Sequence, residues 1–273
     1  MDSSPGTDSR PAPPDTAPPD TAPPDTVPPD TVLPDNRAAH LLLVHGGCHG
    51  AWCWDEVLRG LRGAGVTASA FDLPGCGADH TPRAGITLDD TVTALLARID
   101  ALPAGPVRVV GHSIAGWLLP YAAARRDRVV EMVFVAAVTL ARGERGIDMI
   151  PADRRPGYFD MAAASPDNSL MPPFEDLWQR FFPHLDGAAA REAYARLTPQ
   201  AFGPYLGRAT VGIEEVATPR RYLAPTEDLN FPPDVTGGFA AKAGVVPEPV
   251  EGDHCVMLTN PAQLVEALAA PGS

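Results

Sequence analysis

The chain has 273 residues, which is enough for one large domain or two small ones with a substantial buried core. It is 45% hydrophobic and 20% charged, and its formal net charge of −13 without a cluster of basic residues argues against nucleic acid and anionic membranes as partners. The longest apolar run, Met132 to Ala141, is far shorter than the roughly 18 to 20 residues that cross a bilayer, so we predict no membrane partner.

The first predicted element is a Pro/Asp-rich tail, residues 1–37. Within it the unit (Ala/Val)-(Pro/Leu)-Pro-Asp-(Thr/Asn) repeats five times from Ala12 onward and accounts for much of the excess of proline. Proline restricts the backbone and removes hydrogen-bond donors, and the regular Asp residues repel one another, so a disordered or extended tail is expected. A spacer or docking role and a dispensable extension are both compatible with this composition. Residues 38–273 are predicted to form the folded domain.

Short apolar runs alternate with helical stretches from His40 onward. The predicted strands are HLLLVHG, VTASAFDLPG, VRVVGHS, VVEMVFVAAV, RYLAPTEDL and GVVPEPVEGDH, and the predicted helices between them include AWCWDEVLRGLRGAG, TLDDTVTALLARIDAL and NPAQLVEALAA. The second helix begins with a Thr-x-x-Asp capping pattern and the third with Asn followed by Pro. Such alternation predicts an α/β fold, with a mostly parallel sheet and helices on both faces. Ligands of such sheets bind beyond the carboxyl ends of the strands.

The alternation stops between about residues 141 and 212. This segment is rich in Pro, Met and aromatic residues, with FEDLWQRFF and DGAAAREAYARL as predicted helices and no further strand. We therefore predict a helical lid inserted above the sheet. Its Met and aromatic side chains could line an apolar pocket above the strand ends, but we expect most of them to pack against one another.

The cysteines and the amino terminus indicate in which cellular compartment the protein is expected. The four cysteines contain no C-x-x-C pair, which predicts buried free thiols and neither a disulfide framework nor a zinc site. No basic segment followed by an apolar core opens the sequence, so a secretory signal is not predicted and a cytoplasmic protein is expected.

The stretch VRVVGHSIAGW places Ser113 between a predicted strand and a segment of small residues. A serine at such a position is commonly only a helix cap. The alternative is a nucleophile elbow, in which G-x-S-x-G exposes the hydroxyl on a sharp strand-to-helix turn. Ala115 replaces the second glycine of that pattern but keeps its small volume, and Gly116 follows at once.

A nucleophilic serine needs a base and a group that orients the base. His254 lies just past the last predicted strand, where this architecture needs its base, and Asp228 follows the strand before it. Glu227, Asp234 and Asp253 are the alternative acids. Asp253 adjoins His254 in sequence and cannot easily reach its ring, and Asp234 is expected to cap the following helix. The order serine, aspartate, histidine is that of the α/β-hydrolases and supports the nucleophile interpretation.

The oxyanion of an acyl-transfer intermediate needs two backbone N–H donors. Ile114, directly after the serine, is predicted to supply the first. Gly47, in the stretch LVHGGCHGAW after the first strand, is predicted to supply the second, because glycine allows the sharp bend that is needed there.

Four segments together resemble the plant methylesterase and hydroxynitrile lyase family of α/β-hydrolases: LLLVHGGCHGAWCWDEV, GHSIAG, TEDLNFPP and EGDHCVML. The resemblance covers His40 to about Ala270, and ARLTPQAFGPY resembles that family's lid. It implies a Ser-Asp-His triad, a helical lid, hydrolysis of small carboxylic esters, and no metal or cofactor. The lyase branch carries Lys directly after the catalytic histidine, where this chain has Cys255, so hydrolysis is the favoured branch.

The sequence thus predicts a serine carboxylesterase that cleaves a small, methyl-ester-like substrate through an acyl-enzyme. Two alternatives remain: a non-hydrolytic enzyme of the same fold that forms lactones, cyclises or cleaves carbon–carbon bonds, and a binding protein that has lost turnover. The expected partner is a small-molecule ester, and the oligomeric state stays open.

Overall fold

The computed structural model describes residues 1–2 and 39–270. The repeats of the Pro/Asp-rich tail lie outside the described residues, so the disorder of that tail and its boundary at residue 37 stay predictions.

The described residues form eight strands and ten α-helices. The strands are β1 His40–Val44, β2 Ala68–Phe71, β3 Val107–His112, β4 Val129–Val135, β5 Ser169–Leu170, β6 Gln200–Ala201, β7 Arg220–Pro225 and β8 Glu248–Val250. The helices are α1 Asp55–Gly63, α2 Leu88–Asp100, α3 Leu119–Arg125, α4 Arg155–Ala164, α5 Phe174–Phe181, α6 Gly187–Arg196, α7 Gly203–Leu206, α8 Pro233–Lys242, α9 Val256–Thr259 and α10 Pro261–Ala269.

Six of these strands form one sheet, in the order β2-β1-β3-β4-β7-β8. Every neighbouring pair in it is parallel, so the predicted parallel sheet is confirmed and its described part contains no antiparallel strand. The pleat sends alternate side chains to opposite faces: in β1, Leu42 and Val44 join one hydrophobic cluster and Leu41 and Leu43 join the other. Helices α2, α3 and α8 cover the first face, and α1 and α10 cover the second.

One of the three predicted helix caps is confirmed, and the other two differ from the prediction. Thr87 and Asp90 form the expected capping box at the start of α2, each side chain bonding the other residue's backbone N–H. Asn260 precedes α10, but its side-chain amide donates to the Glu251 carbonyl oxygen at 3.0 Å instead of capping the helix. The prediction that Asp234 caps a helix was wrong: α8 begins at Pro233 with Pro232 at the capping position, and Asp234 lies inside the first turn.

The segment between β4 and β7 is mainly helical, as predicted, and contains α4 to α7. It also holds a pairing that we did not predict, the antiparallel β5 and β6, in which Ser169 lies opposite Ala201. Strands of two residues are too short to show an alternating hydrophobic pattern, which is why the sequence did not reveal them. No helix in the described part of the chain is long and apolar enough to cross a membrane.

Deleting residues 1–36 is expected to leave the melting temperature of the remaining domain unchanged, because the repeat has too little apolar surface to pack on it. Thermal denaturation of the full chain and of the truncated chain, in the same buffer, measures this. A drop of several degrees on truncation would instead show that the tail docks on the domain.

Candidate active site

The predicted site residues all follow strands of the parallel sheet. Gly47 comes after β1, Ser113 after β3, Asp228 after β7 and His254 after β8. Carboxyl ends of parallel strands share one edge, so the topology brings together residues that are up to about 200 positions apart in sequence.

Ser113, His254 and Asp228 form a continuous line of hydrogen bonds. His254 Nε2 lies 3.1 Å from Ser113 Oγ, and His254 Nδ1 donates to Asp228 Oδ2 at 2.8 Å. The imidazole is fully buried, and Ser113 is 5% exposed. With its Nδ1 proton held by the carboxylate, the ring presents an unprotonated Nε2 to the hydroxyl, which is the state that can accept a proton.

The surroundings of the carboxylate and the imidazole hold both in place. Asp228 Oδ1 accepts the backbone N–H groups of Asn230 and Phe231, each at 2.8 Å. The rings of Phe181 and Phe231 meet the His254 ring edge-on, with centroids 4.9 and 5.0 Å away. Both carboxylate oxygens are therefore committed, and the imidazole has little freedom to rotate.

The backbone turn at Ser113 is strained. Its φ is +52°, in the left-handed region that serine rarely adopts, and Val138 N–H donates to the Ser113 carbonyl at 3.0 Å. A Cβ on Gly116 would lie 2.4 Å from the Val138 carbonyl oxygen, and one on Gly46 would lie 2.6 Å from His112 Nδ1. The glycines around the serine are therefore required by close approach, whereas Ala115 fits within the core.

The two predicted oxyanion donors, Gly47 and Ile114, line the same cavity as Ser113. A Cβ on Gly47 would lie 3.4 Å from Ile114 Cδ1, so the two segments are in contact. His45 orients the peptide between Gly46 and Gly47: its Nδ1 donates to the Gly46 carbonyl at 2.8 Å, and its Nε2 accepts the Leu73 N–H at 3.0 Å. In a trans peptide the Gly47 N–H points away from that carbonyl, so the contact fixes the direction of the candidate donor.

Two further histidines that sequence reasoning did not single out are buried beside the line of hydrogen bonds. His112 Nε2 donates to the His254 carbonyl at 2.9 Å, and His49 Nδ1 donates to the Gly47 carbonyl at 2.8 Å. Burial lowers the pKa of His49 to about 4 and the pKa of His112 well below its usual value, because a charged ring cannot be solvated there. Both rings are thus neutral at pH 7 and add no positive charge beside His254.

Acidification is expected to destabilise the fold partly through His49. Its pKa is lower in the folded chain than in the unfolded chain, so the unfolded state binds more protons between pH 6.5 and about 4. This part of the stability is complete above pH 6.5 and is lost as the pH falls to about 4, to an extent of about 2–3 kcal/mol. Urea denaturation of wild type and His49→Gln at pH 7 and pH 4.5 measures it, and the variant should lose less stability. The exposed His80→Gln is the control, and equal losses in wild type and His49→Gln would contradict the prediction.

The four cysteines are free and buried, as predicted. Burial raises the pKa of the Cys255 thiol well above its usual value, so the thiol is neutral. Its sulfur lies 3.7 Å from His49 Nε2, and the residue is not part of the cavity wall. The position next to His254 therefore offers no charge to a bound molecule. Within the described residues, no group of three or more His, Cys, Asp or Glu side chains is arranged to hold a metal ion.

The cavity above Ser113 has a volume of about 140 Å³, and its wall is mainly apolar. The segment between β4 and β7 supplies much of this wall, including Met149, Ile150, Tyr158, Leu177 and Phe181. Some of the Met and aromatic residues of the insertion therefore do line a pocket. Others pack together, as in the stacking of Phe174 on Trp178.

Two polar residues of the wall were not anticipated from the sequence. Asn230 Nδ2 lies 3.5 Å from His254 Nε2, and its Oδ1 accepts from Arg180 Nη2 at 2.7 Å. No sequence signal marked the Asn230 side chain, because the contact with Asp228 is made by the backbone N–H of Asn230, which almost any residue type could supply. Nothing in the sequence marked Arg180, since a charged residue on an amphipathic helix usually faces solvent.

Comparison with known proteins agrees with this architecture. Residues 41–267 match the alpha/beta hydrolase family. The chain therefore belongs to the alpha/beta hydrolase family.

Its relatives include plant proteins classed as esterases. A chloroplastic methylesterase-type protein of Arabidopsis thaliana is 27% identical over 250 residues, covering 83% of this chain and 70% of the relative. Methyl jasmonate esterase 1 of Vitis vinifera is 38% identical over 104 residues, covering 37% of this chain and 40% of the relative. Among solved structures, an extracellular α/β-hydrolase from a Paenibacillus species superposes with a TM-score of 0.79 at 24% identity, covering 86% of this chain and 99% of that one. This last likeness supports the fold.

Proposed function

We propose that the protein is a serine carboxylesterase that hydrolyses methyl-type esters of small carboxylic acids through an acyl-enzyme. The observation that carries the proposal is the buried line of hydrogen bonds from Asp228 through His254 to Ser113, with the serine on a left-handed turn. A serine that only capped a helix would need neither the strained backbone nor an imidazole backed by a carboxylate.

The mechanism follows from this geometry. His254 Nε2 takes the hydroxyl proton as Ser113 Oγ attacks the ester carbonyl carbon. The negative charge that develops on the carbonyl oxygen is stabilised by the backbone N–H groups of Gly47 and Ile114. The imidazolium, held by Asp228, then protonates the departing alkoxide, and the acyl-enzyme remains.

The second half of the reaction uses the same groups. His254 Nε2 removes a proton from a water molecule, whose oxygen attacks the acyl carbon. The tetrahedral intermediate collapses, Ser113 Oγ regains the proton from His254, and the free acid leaves. Each residue acts twice, so the loss of any of them affects both halves of the cycle.

The cavity and its surroundings support a small substrate. Its apolar wall suits an alkyl or aryl acid, and we propose that residues 141–212 act as a lid that excludes water from the acyl-enzyme. The neutral, buried Cys255 supports hydrolysis over cyanohydrin cleavage, because the lysine of the lyase branch is missing. The methylesterases among the relatives support a methyl ester as the substrate, with methanol as the leaving group.

The experiment has two parts. The purified chain is treated with a fluorophosphonate probe, which labels an activated serine, and is then assayed for methanol release from a panel of methyl, aryl and lactone esters. Labelling together with preferential methanol release is the expected result. Labelling without hydrolysis of any ester would favour non-hydrolytic chemistry, and absence of labelling would favour a binding protein. The cytoplasmic location stays a prediction, which fractionation of the source cells tests.

A further inference from the structure

The charge of the cavity wall is opposite in sign to the net charge of the whole chain. The chain has a formal net charge of −13. The charged side chains described in the cavity wall are nevertheless both cationic, Arg154 and Arg180, and the described wall contains no Asp or Glu. A cavity that carries positive charge within an acidic protein attracts an anionic ligand.

Within the described residues Arg180 has no acidic partner, which distinguishes it from two more deeply buried arginines of the domain. The buried Arg108 and Arg221 each form an ion pair with a glutamate, Glu131 and Glu248 respectively. Arg180 is half-buried, and the hydrogen bond described for its guanidinium goes to the neutral Asn230 side chain. Arg154 forms no ion pair within the described residues and stands exposed at the start of α4.

Arg180 also lies close to the reacting atoms. Its Nη2 is 2.7 Å from Asn230 Oδ1, and Asn230 Nδ2 is 3.5 Å from His254 Nε2, the atom that contacts Ser113 Oγ. The guanidinium also lies over the ring of Phe181, which packs against His254. A small molecule whose ester group reaches Ser113 therefore extends within range of this guanidinium.

The electrostatic surroundings of Arg180 favour an added anion. Burial, and next the positive charge of Arg154, lower the pKa of the Arg180 guanidinium, whereas the carboxylates of Asp176 and Asp228 act more weakly in the opposite direction. The positive charges of the two arginines thus repel each other. A carboxylate bound in the cavity relieves this repulsion and satisfies the free guanidinium donors of Arg180.

We infer that the cavity recognises a second, free carboxylate on the acyl part of the substrate, so that the preferred esters are monomethyl esters of dicarboxylic acids. Arg180 is the specificity-determining residue, and Arg154 assists it from the entrance. The alcohol part of a methyl ester is a methyl group, which has no ionisable group. The carboxylate must therefore belong to the acid part of the ester. The inference rests on the proposed esterase function and narrows its substrate class.

The test compares monomethyl esters of dicarboxylic acids, from succinic to suberic acid, with neutral analogues in which the free carboxylate is a primary amide. Wild type should show kcat/KM at least about tenfold higher for the acid than for the amide at the best chain length, the range expected for a charge-assisted hydrogen bond. This preference should shrink at high ionic strength, because salt screens the attraction.

Arg180→Met should remove most of this preference, mainly through a higher KM for the acid ester. Arg180→Lys should restore part of it, and Arg154→Met should reduce it by about two- to threefold, as expected for an exposed charge. Arg62→Met, which removes an exposed charge from α1, is the matched control and should leave kcat/KM unchanged for both substrates. The inference would be overturned if wild type showed no preference for the acid ester. It would also be overturned if Arg180→Met lowered kcat/KM equally for both substrates, which would leave Arg180 as a residue that only positions Asn230.

A binding measurement separates this inference from the proposed function. If no ester is hydrolysed, the proposed function fails, and calorimetric titration with the free dicarboxylates still decides the inference. Binding by wild type that is lost in Arg180→Met and kept in Arg62→Met would support it. Equal binding, or none, in wild type and Arg180→Met would overturn it.

Discussion

Replacing Ser113 by Ala is expected to lower kcat for ester hydrolysis by about 10⁴ to 10⁶, because the triad members act as one unit. The hydroxyl is the group that forms the acyl-enzyme, and the described wall of the cavity offers no second serine in its place. Fluorophosphonate labelling and initial rates of methanol release measure the effect. The losses in the double variant Ser113→Ala, His254→Ala should not multiply.

Two controls make this result specific. Ser113→Gly also removes the nucleophile but relieves the backbone strain at φ +52°, so it should be inactive while its melting temperature equals or exceeds that of wild type. Ser69 is the control serine, because its hydroxyl also lies beside a histidine, 2.7 Å from His40 Nε2. Within the described residues no carboxylate bonds the other nitrogen of that ring. Ser69→Ala should therefore keep both labelling and activity. Normal turnover in Ser113→Ala would rule out the proposed nucleophile.

Replacing Asp228 by Asn is expected to lower kcat by about 10⁴. Asp228 Oδ1 already accepts two backbone N–H groups, so the amide nitrogen of the asparagine would take the position of Oδ2 and face His254 Nδ1. His254 Nδ1 would then have to accept a hydrogen bond from the amide, which moves the ring proton to Nε2. A protonated Nε2 cannot accept the Ser113 proton. The rate should recover in part at high pH, where hydroxide assists deprotonation of the serine.

Asp234→Asn is the matched control for the acid. It makes the same chemical change on an exposed residue in the first turn of α8, and it should retain near-normal kcat. Circular dichroism of both variants checks that the fold is intact. If Asp228→Asn were active and Asp234→Asn were not, the assignment of the acid would be wrong.

The candidate site was unusually accessible to sequence reasoning, for a topological reason. In a parallel sheet the residue after each strand lies at one common edge, so the positions of Ser113, Asp228 and His254 relative to their strands already predicted that they meet. Local signals sufficed to place them, namely a small-residue turn and two apolar runs that end in polar residues. The structure adds distances of 3.1 and 2.8 Å, which no strand pattern contains.

Other features could not be read from the sequence. The pairing of β5 with β6 involves two residues on each side, and two helices with their loops separate the strands in sequence, so no periodicity marks it. The helix-capping role of Asp234 was predicted wrongly because α8 begins at Pro233, and its capping position, Pro232, lies two residues before Asp234. His49 and His112 carried no motif of their own, and only the loops that fold over them remove water and shift their pKa values.

The sequence by itself determined the α/β architecture, the strand-to-helix turn at Ser113 and the chain order of the three candidate catalytic residues. These depend on local hydrophobic periodicity and on the residues that follow each strand, and both are written along the chain. The tertiary structure alone decided which side chains of the insertion face the cavity. It also decided that Arg180 reaches Asn230 beside His254, and that no carboxylate of the described residues pairs with Arg180. Contacts between segments about 50 residues apart depend on how the insertion packs over the sheet, and that packing follows from shape and burial, which no local pattern of residues encodes.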